Sequence, residues 1–397
     1  MPPLAVRDFT VVTSLGAGRA ATAAALREGR SGLQPCAFDA VPFATYVGEI
    51  AGLDTVPLEH GLAQFDCRLN RLAALTLRQD GFADSIAVAR DRYGAERIGV
   101  FLGTSTSGLL QTELAYRRRE AQTGALPADF DYARTHNTYS LASFVRMALR
   151  LAGPAFVVST ACAATAKVFG SAARMIAAGL CDAAVVGGAD TLCATTLYGF
   201  HSLGVMSDEP CRPFDAERRG ISIGEAGGFA LLERSTDRID KDTVFLLGVG
   251  ESTDAYHMSS PHPEGTGARL AMERALSAAG VDPSEIDYVN LHGTATSVGD
   301  AAEDRAVADV IGTTTPCNST KGFAGHTLGA SGVIEAAFCA LGILDGFIPG
   351  SPHTRTVDPT FRSGYRRDGG PARVDRVLSN SFGFGGANCS VVLGRAA

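Results

Sequence analysis

The sequence contains no tryptophan, and aromatic residues make up only 7% of it. Charged residues are also sparse at 19%, and 42 acidic side chains outnumber 35 basic ones, which gives a net charge of −7. The strongest basic cluster is confined to residues 117–119. Because general affinity for nucleic acid or anionic membranes depends on extended basic surfaces, we expect neither as a partner.

Disulfide and zinc-binding patterns are missing as well. The nine cysteines are scattered, with no CxxC pair and no Cys/His spacing typical of a metal site. An odd number of such thiols fits reduced cysteines better than a disulfide framework. No uncharged apolar run of about 18 residues is present to span a bilayer, and Arg7 and Asp8 interrupt the N-terminal stretch before a signal-peptide core forms. We therefore expect a soluble cytoplasmic protein.

What the chain does contain is alternating secondary structure. Its 397 residues correspond to two or three domains at about 150 residues each. Short β-branched runs alternate with alanine- and leucine-rich stretches of helical period in both halves, which predicts an α/β fold. The predicted strands are residues 9–13, 98–102, 155–159, 183–187, 228–232, 244–249, 288–291, 377–380 and 390–393. The predicted helices are residues 19–28, 71–89, 141–151, 163–178, 268–279, 301–311 and 332–344.

No Pro/Ser-rich linker separates the two halves, and no short repeat is detectable. We therefore expect the halves to pack as one block, with their boundary near residues 233–241.

The first segment with a candidate catalytic residue is the run STACAAT at residues 159–165. A predicted strand leads into Cys162, and an alanine-rich helix follows at once. At a helix N-terminus the unpaired N–H groups and the dipole favour a thiolate, so the pattern predicts a lowered thiol pKa and a nucleophilic cysteine. A buried core cysteine is the alternative when this residue is judged alone.

Three later segments add candidate side chains. His292 ends a predicted strand in the run NLHGTATSVGD, and the carboxyl ends of strands are where α/β folds form active sites. A structural histidine is an equally good interpretation there. Lys321 and His326 share the glycine-rich run STKGFAGHTLGAS, where apolar surroundings perturb pKa values. Phe382 and Phe384 lie in SNSFGFGGAN, a predicted turn whose N–H groups can stabilise an oxyanion.

Together these segments resemble the elongating β-ketoacyl synthases of the thiolase superfamily. The likeness runs from VVTSLG at residue 11 to NSFGFGGANCSVV at residue 380, and it includes RPFDAERRGISIGEAGG from residue 212 and DAYHMSSPHPEG from residue 254. The resemblance implies a thiolase-like five-layered αβαβα sandwich of two similar halves. Residues 1–235 would carry the nucleophilic cysteine, and residues 236–397 would carry the two histidines.

The family reaction implies an acyltransferase. An acyl chain moves from acyl carrier protein to the cysteine, and a malonyl unit is then decarboxylated and condensed with it, in fatty-acid or in specialised polyene or polyketide synthesis. The substrates travel on the phosphopantetheine arm of acyl carrier protein, and no metal or organic cofactor is implied.

The resemblance also assigns roles to single residues. Cys162 is the nucleophile, His292 and His326 donate to the enolate, Lys321 supports them, and the backbone N–H groups of Cys162 and Phe384 form the oxyanion hole. Glu303 matches a supporting acidic position, Thr294 and Thr296 match the pair that binds phosphopantetheine, and Phe384 matches a gate over the acyl pocket.

Two positions depart from the family pattern. Asp8 and Thr10 replace expected glycines in the first strand, and residues 104–107 read TSTS where an apolar acyl-pocket residue is expected. That polarity predicts an unsaturated, aryl or otherwise unusual acyl chain. For docking of the acidic carrier protein, Arg68, Arg71 and residues 117–119 are the candidates.

Two other interpretations stay open at this point. One is that the chain is a ketosynthase-like chain-length partner subunit without independent activity, although such partners usually lack the nucleophile. The resemblance implies a homodimer, or a heterodimer with a ketosynthase-like partner. A thiolase that uses coenzyme A would need a second catalytic cysteine near the C-terminus, and Cys389 is not in the usual setting for one.

Overall fold

The fold is built around a long mixed β-sheet. The computed structural model describes residues 2–234 and 243–395. The main strands are β1 (Leu4–Thr13), β2 (Ile98–Gly103), β3 (Ala155–Val158), β4 (Ala183–Asp190), β5 (Ala226–Arg234), β6 (Val244–Thr253), β7 (Tyr288–Asn290), β8 (Pro316–Asn318), β9 (Arg376–Gly383) and β10 (Ala387–Arg395). Gly16–Ala17 and Gly364–Tyr365 extend this sheet, whereas Gln34–Pro35, Tyr46–Gly48, Ile223–Gly224, Phe347–Ile348 and Gly370–Pro371 form small separate sheets.

Helices connect these strands and cover the sheet. The α-helices are α1 (Arg19–Glu28), α2 (Arg68–Leu77), α3 (Phe82–Tyr93), α4 (Leu109–Arg117), α5 (Tyr132–Thr135), α6 (Tyr139–Leu149), α7 (Ala164–Ala177), α8 (Ala194–Ser202), α9 (Thr266–Ala279), α10 (Ser297–Val310), α11 (Lys321–Ala324) and α12 (Ser331–Asp345). Short 3₁₀ turns occur at Phe38–Ala40, Leu53–Thr55, His60–Phe65, Ala95–Arg97, Ala161–Ala163, Pro283–Glu285, Leu328–Ala330 and Phe384–Gly386.

The two halves of the sheet have the same topology. The first half has the strand order β3-β2-β4-β5-β1, and the second has the order β8-β7-β9-β10-β6. In each half the first three strands of this order are parallel to one another. The fourth strand pairs antiparallel with the third and with the fifth. The halves join where β1 pairs antiparallel with β6. The two similar halves expected from the resemblance are therefore present, although no repeat is visible in the sequence.

Two helices form the central layer between the halves. Helix α7 packs on β2 and β4 of the first half, α12 packs on β9 and β10 of the second, and the two helices contact each other. Helix α12 is buried at nearly every position, as expected for a helix that is apolar all round. Helices α2 and α6 cover the outer face of the first half, and α9 and α10 cover that of the second. This layering confirms the αβαβα sandwich.

The close approach of α7 and α12 requires a glycine. A Cβ atom at Gly332 of α12 would lie 2.4 Å from the backbone nitrogen of Ala166 in α7, a distance that no side chain tolerates. The segment Leu328–Asp345 has the length and mean hydropathy, 1.6, of a membrane-spanning helix, but most of it is buried inside the described part of the fold.

Most predicted elements are present, with one clear error. The predicted helix 71–89 is two helices, α2 and α3, because Asp80 (φ 58°) and Gly81 (φ 72°) adopt the left-handed conformation between them. The sequence patterns did not predict strand β8 or helices α4 and α8. The predicted division between residues 235 and 236 falls outside the described residues, so that boundary stays a prediction.

The two unexpected residues of the first strand form a polar network. Asp8 accepts hydrogen bonds from Arg19 (2.9 Å) and Ser85 (2.6 Å), and the Thr10 hydroxyl donates to Asp80 (2.9 Å). These contacts tie β1 to α1 and α3. The strand still pairs with both neighbours, with one register shift between Val6 and Asp8.

Arg68 is not available for docking a partner. Its side chain is 4% exposed and forms a salt bridge with the fully buried Glu225, with Asp54 on its outer side. Burial raises the pKa of Glu225 to about 7, and the Arg68 charge opposes that rise. The prediction of Arg68 as a docking residue is therefore wrong, because its guanidinium group is buried and paired with Glu225 inside the fold.

Replacing Arg68 tests this ion pair. Arg68→Ala leaves the Glu225 carboxylate buried without its cation, so we expect a loss of about 3–5 kcal/mol in unfolding free energy, measured by denaturant titration. Arg71→Ala on the same helix removes an exposed pair with Asp66 and should cost about 0–1 kcal/mol. Equal losses for the two variants would contradict this account.

Candidate active site

Cys162 lies at the junction of a strand and the central layer. The chain leaves β3, passes through Ala161, which has a left-handed φ of 48°, and places Cys162 in a 3₁₀ turn immediately before α7. The side chain is almost fully buried, at 6% exposure. The predicted strand, turn and helix are therefore all present, and the sulfur faces inward rather than toward solvent.

His326 is the nearest imidazole to this sulfur. Its Nε2 atom lies 3.0 Å from Cys162 Sγ, and its Nδ1 atom lies 3.0 Å from Ser331 Oγ. The Thr327 hydroxyl donates to Ser331 Oγ at 3.3 Å. We assign the Ser331 hydroxyl proton to the contact with the ring, so that Ser331 donates to His326 Nδ1. The ring proton of His326 is then on Nε2, pointing at the sulfur.

His292 completes the cluster from the end of β7. Its ring is almost perpendicular to that of His326, with 5.3 Å between centroids. Lys321 Nζ lies 3.5 Å from His292 Nδ1 and forms a buried salt bridge with Glu335. An ammonium group can only donate, so His292 Nδ1 accepts and its proton is on Nε2.

The sulfur and the imidazole nitrogens of Cys162, His292 and His326 lie within 4.8 Å of one another. Two imidazoles and a thiol at such spacing can also hold a metal ion. Among the described residues, this is the group with metal-binding spacing. The comparisons reported below favour acyl transfer for it.

The resting charge state of the cluster is neutral. Burial raises the pKa of the Cys162 thiol to about 11, while Lys321 and the backbone N–H groups of Phe384 and Cys162 act in the opposite direction. Burial, followed by the nearby Lys321 charge, holds the pKa of both imidazoles well below its usual range. The lowered thiol pKa expected from the helix N-terminus is therefore wrong, because desolvation outweighs it.

Glu303 shapes the turn that carries His292. Its carboxylate accepts from the backbone N–H groups of His292 (2.8 Å) and Gly293 (2.7 Å), and Asn380 donates to it at 3.3 Å. Burial raises the pKa of Glu303 to about 7, and the two backbone donors oppose that rise. Glu303 contacts the backbone of His292 and holds the turn in place.

A pocket of about 340 Å³ contains the cluster. Thr294 and Thr296 line it, with their hydroxyl oxygens 3.0 Å apart. Its wall includes Cys162, His292, His326, Glu303, Phe200, Phe382 and Phe384. The structure therefore brings the sequence-predicted residues together around one cavity, with Lys321 directly behind His292.

Phe384 lies in a loop that glycines make adaptable. Its side chain is 37% exposed, and its ring centroid is 5.7 Å from that of Phe200. Gly385 and Gly386 adopt left-handed φ values of 79° and 75°. The Gly385 N–H group donates to the Met258 carbonyl at 2.7 Å. Phe382 instead packs 6.0 Å from the His292 ring.

Residues 104–107 do not provide a polar acyl pocket. The hydroxyls of Thr104 and Thr106 both donate to the buried carboxylate of Asp190, and neither residue lines the 340 Å³ cavity. The polarity of residues 104–107 therefore does not describe the lining of this cavity, and the unusual acyl chain stays a prediction. Cys389 is fully buried in β10, which is no setting for a second catalytic cysteine.

Two residues of this site were missed in the sequence. Ser331 contacts His326, and Glu335 pairs with Lys321. They lie four residues apart on α12. A carboxylate in the buried, apolar part of a helix is costly to bury alone, and Glu335 was therefore the signal that Lys321 had a buried partner.

Comparison with known proteins identifies relatives along the whole chain. Residues 3–238 match the model for the β-ketoacyl synthase N-terminal domain, and residues 244–355 match that for the C-terminal domain. The chain is 33% identical to a 3-oxoacyl-[acyl-carrier-protein] synthase 2 of Vibrio cholerae, with 94% of each chain covered. It is 39% identical over 266 residues to the mitochondrial 3-oxoacyl-[acyl-carrier-protein] synthase of Arabidopsis thaliana, which is 62% of this chain and 58% of that one.

Solved structures give the same result. A ketosynthase (ApeO) in complex with its chain length factor (ApeC) from Xenorhabdus doucetiae superposes with a TM-score of 0.90 at 36% identity, covering 100% of this chain and 98% of that one. The ishigamide ketosynthase/chain length factor superposes with a TM-score of 0.89 at 29% identity, covering 100% of both.

The pH dependence of thiol alkylation tests the resting state of Cys162. With a pKa of about 11, the thiolate fraction rises about tenfold for each pH unit between pH 7 and 10, and the thiolate is the reacting form. We expect the iodoacetamide rate at Cys162, followed by peptide mass spectrometry, to rise throughout that range. In the urea-unfolded chain the rate should level off near the ordinary thiol pKa of about 8.5. A plateau below pH 8 in the folded protein would contradict the assignment.

Proposed function

The chain belongs to the β-ketoacyl synthase family of acyltransferases, and on that premise we propose that it condenses a Cys162-bound acyl chain with malonyl-acyl carrier protein. The observation that carries the proposal is the cluster of Cys162, His292 and His326 in one pocket, with 3.0 Å between Cys162 Sγ and His326 Nε2. The products are carbon dioxide and a 3-oxoacyl chain two carbons longer.

In the first step Cys162 takes the acyl group. Its sulfur attacks the thioester carbon, the bond to the phosphopantetheine sulfur breaks, and the proton lost by Cys162 ends on the departing thiol. The resting thiol is neutral, so negative charge develops on sulfur only as the reaction proceeds. His326 Nε2–H and the backbone N–H groups near the sulfur stabilise that charge, while Lys321 adds a favourable field.

In the second step the malonyl unit loses carbon dioxide. The bond between its carboxylate and the α-carbon breaks, and the electron pair forms an enolate. His292 and His326 both line the pocket beside Cys162, and an Nε2–H group on each ring would donate to the enolate oxygen. Lys321 fixes the proton of His292 on Nε2, and Ser331 does the same for His326. Their depressed pKa values keep both imidazoles neutral at physiological pH.

In the third step the enolate carbon attacks the acyl thioester on Cys162. The tetrahedral oxyanion is held by the backbone N–H groups of Cys162 and Phe384, and collapse breaks the carbon–sulfur bond. One oxyanion donor typically contributes about 2.7–4 kcal/mol. The regenerated thiolate takes up a proton before the next cycle.

The same pocket accommodates the carrier arm. Thr294 and Thr296 present hydroxyls that suit the amide groups of phosphopantetheine. Phe384 acts as the gate between this arm and the acyl chain, because the adjacent glycines allow its loop to change conformation. Arg71 and residues 117–119 remain the proposed docking residues for acyl carrier protein. Of these, Arg71, Arg117 and Arg118 each pair with an exposed or partly exposed acidic side chain.

We further propose a dimer in the cytoplasm, formed by two copies or with a ketosynthase-like partner. Among the described residues, β3 pairs with a strand on one side only. Helix α6 packs on β3, and the segment from α4 to α6 exposes several large apolar residues. These residues are Leu114, Tyr116, Leu126, Tyr132, Tyr139 and Met147. Solved structures similar to this chain include a ketosynthase in complex with its chain length factor and a ketosynthase/chain length factor. A pathway in fatty-acid, polyene or polyketide synthesis fits these structures and the 3-oxoacyl-[acyl-carrier-protein] synthases.

Two variants separate the chemical steps. Cys162→Ala removes the sulfur and should abolish acyl transfer to the protein. His326→Ala should still accept an acyl group but lose malonyl decarboxylation by about a hundredfold or more. Intact-protein mass spectrometry with a panel of acyl carrier protein thioesters measures loading, and carbon dioxide release measures decarboxylation. Full condensation by either variant would refute the assigned roles.

The mass of the protein in solution tests the apolar surface. If the dimer is formed by two copies, we expect light scattering to show the mass of a dimer for the chain alone. If it is a heterodimer, that mass should appear only after a ketosynthase-like subunit is added. Met147→Asp, at a position 49% exposed, should convert the dimer to a monomer. Val88→Asp on α3 changes an isolated residue that is 70% exposed and should leave the mass unchanged. A dimer that survives Met147→Asp and substitution of Leu114 would place the interface elsewhere.

A further inference from the structure

A carboxylate that the reaction above does not use lies beside the site. Asp190 ends β4 and is fully buried. Its Oδ1 atom accepts from the hydroxyls of Thr104 (2.8 Å) and Thr106 (2.7 Å) and from the backbone N–H groups of Ser105 (2.9 Å) and Thr106 (2.6 Å). One oxygen thus organises the loop that follows β2.

The other oxygen of Asp190 reaches the second half of the molecule. Asp190 Oδ2 accepts from the backbone N–H group of Ala330 at 2.9 Å. Gly329 packs so closely that a Cβ atom there would lie 2.8 Å from the same oxygen. Residues 328–331 connect His326 to α12, and the residue after Ala330 is Ser331, whose hydroxyl contacts His326 Nδ1.

This connecting segment needs external support. Leu328 adopts a left-handed φ of 54°, a conformation that is unfavourable for a bulky residue and persists only where neighbours enforce it. Thr165, on α7 three residues after Cys162, donates to the Gly329 carbonyl at 2.7 Å and accepts from Val333 N–H at 3.1 Å. Asp190 and Thr165 therefore hold the same segment from two sides.

We propose that Asp190 is a positioning residue, which fixes residues 328–331 and thereby keeps the His326 imidazole at hydrogen-bond distance from Cys162. The inference rests on the proposed function, because it makes this distance important for condensation. A neutral amide cannot substitute for the carboxylate. Asparagine offers one oxygen, and its NH₂ group would face backbone N–H donors either at Ala330 or at Ser105 and Thr106.

The charge of Asp190 also acts on the sulfur. It contributes to the raised pKa of Cys162, while Lys321 acts in the opposite direction. The other titratable groups around the sulfur include His292 and His326, whose depressed pKa values keep them neutral, and the buried carboxyl groups of Glu303 and Asp300 on the pocket wall, whose pKa values burial raises. Removal of the Asp190 charge should therefore make the thiol more acidic. Loosening of the fold would also lower the thiol pKa, because it hydrates the sulfur, so a second buried aspartate away from the site is needed to separate the two effects.

Asp190→Asn tests the proposal with two independent measurements. We expect kcat for condensation to fall about ten- to a hundredfold, because a small displacement of a catalytic group has effects of that size. KM for the carrier-bound substrates should change less than about twofold, since Asp190 does not line the pocket. The pH profile of Cys162 alkylation should shift to lower pH. An unchanged kcat together with an unchanged alkylation profile would overturn the proposal.

Asp215→Asn is the matched control. Asp215 is a buried aspartate that accepts from three backbone N–H groups, those of Glu217 (2.8 Å), Arg355 (2.6 Å) and Thr356 (3.0 Å). Its amide variant should lose thermal stability as Asp190→Asn does, yet keep the wild-type kcat and alkylation profile. Equal losses of activity in the two variants would mean that Asp190 contributes only to folding.

The design separates failure of this inference from failure of the proposed function. If the wild-type protein accepts no acyl group, the proposed function fails, but alkylation of Cys162 still reports whether Asp190 acts on the sulfur. If Asp190→Asn does not fold, Thr104→Val removes one donor to Oδ1 at nearly constant volume. A smaller loss of kcat in the same direction supports the proposal, and no loss refutes it.

Discussion

The contact between α7 and α12 is the constraint on which the site depends. Each helix follows the third strand of its own half, so the duplicated topology delivers one helix from each half to the central layer. Gly332 allows the two backbones to approach closely. This packing places Cys162, just before α7, against His326, just before α12, at 3.0 Å. Neither half contains the cluster alone.

Burial in this layer then determines the chemistry of every ionisable group. It raises the pKa of Cys162, Glu303 and Glu335, and it depresses that of His292 and His326. Lys321 is the cation of the cluster, and its salt bridge with Glu335 lets it remain inside. The result is a site whose imidazoles are neutral, which suits the proposed stabilisation of an enolate.

Sequence patterns predicted the parts of this structure that depend on local order. Helix α1 has the predicted bounds, and strands such as β2 and β4 begin where the apolar runs begin. Strand β8 was not predicted, because it has only three residues and starts with proline. The break between α2 and α3 depends on backbone angles at Asp80 and Gly81 that the apolar period does not reveal.

The site itself was predictable only in part. The positions of Cys162, His292 and His326 followed from motifs, but the direction of the thiol pKa did not, since desolvation depends on the whole fold. Asp190 is the clearest case. It lies 86 residues from Thr104 and 140 from Ala330 along the chain, so its role as a link exists only after the halves have packed. The sequence alone suggests that the hydroxyls of residues 104–107 face the acyl pocket. In the structure, those of Thr104 and Thr106 instead donate to Asp190.

The antiparallel seam between β1 and β6 has a consequence for substrate entry. Because hydrogen bonds run across it, the described parts of the two halves share one sheet. A shared sheet favours a fixed distance between Cys162 and His326. With Phe384 in its proposed role as a gate, admission to the pocket would depend on the loop that carries it, and loop motions take nanoseconds to microseconds whereas domain closure takes microseconds to milliseconds. In such a site, the entrance loop would select the substrate, and the catalytic side chains would keep their positions.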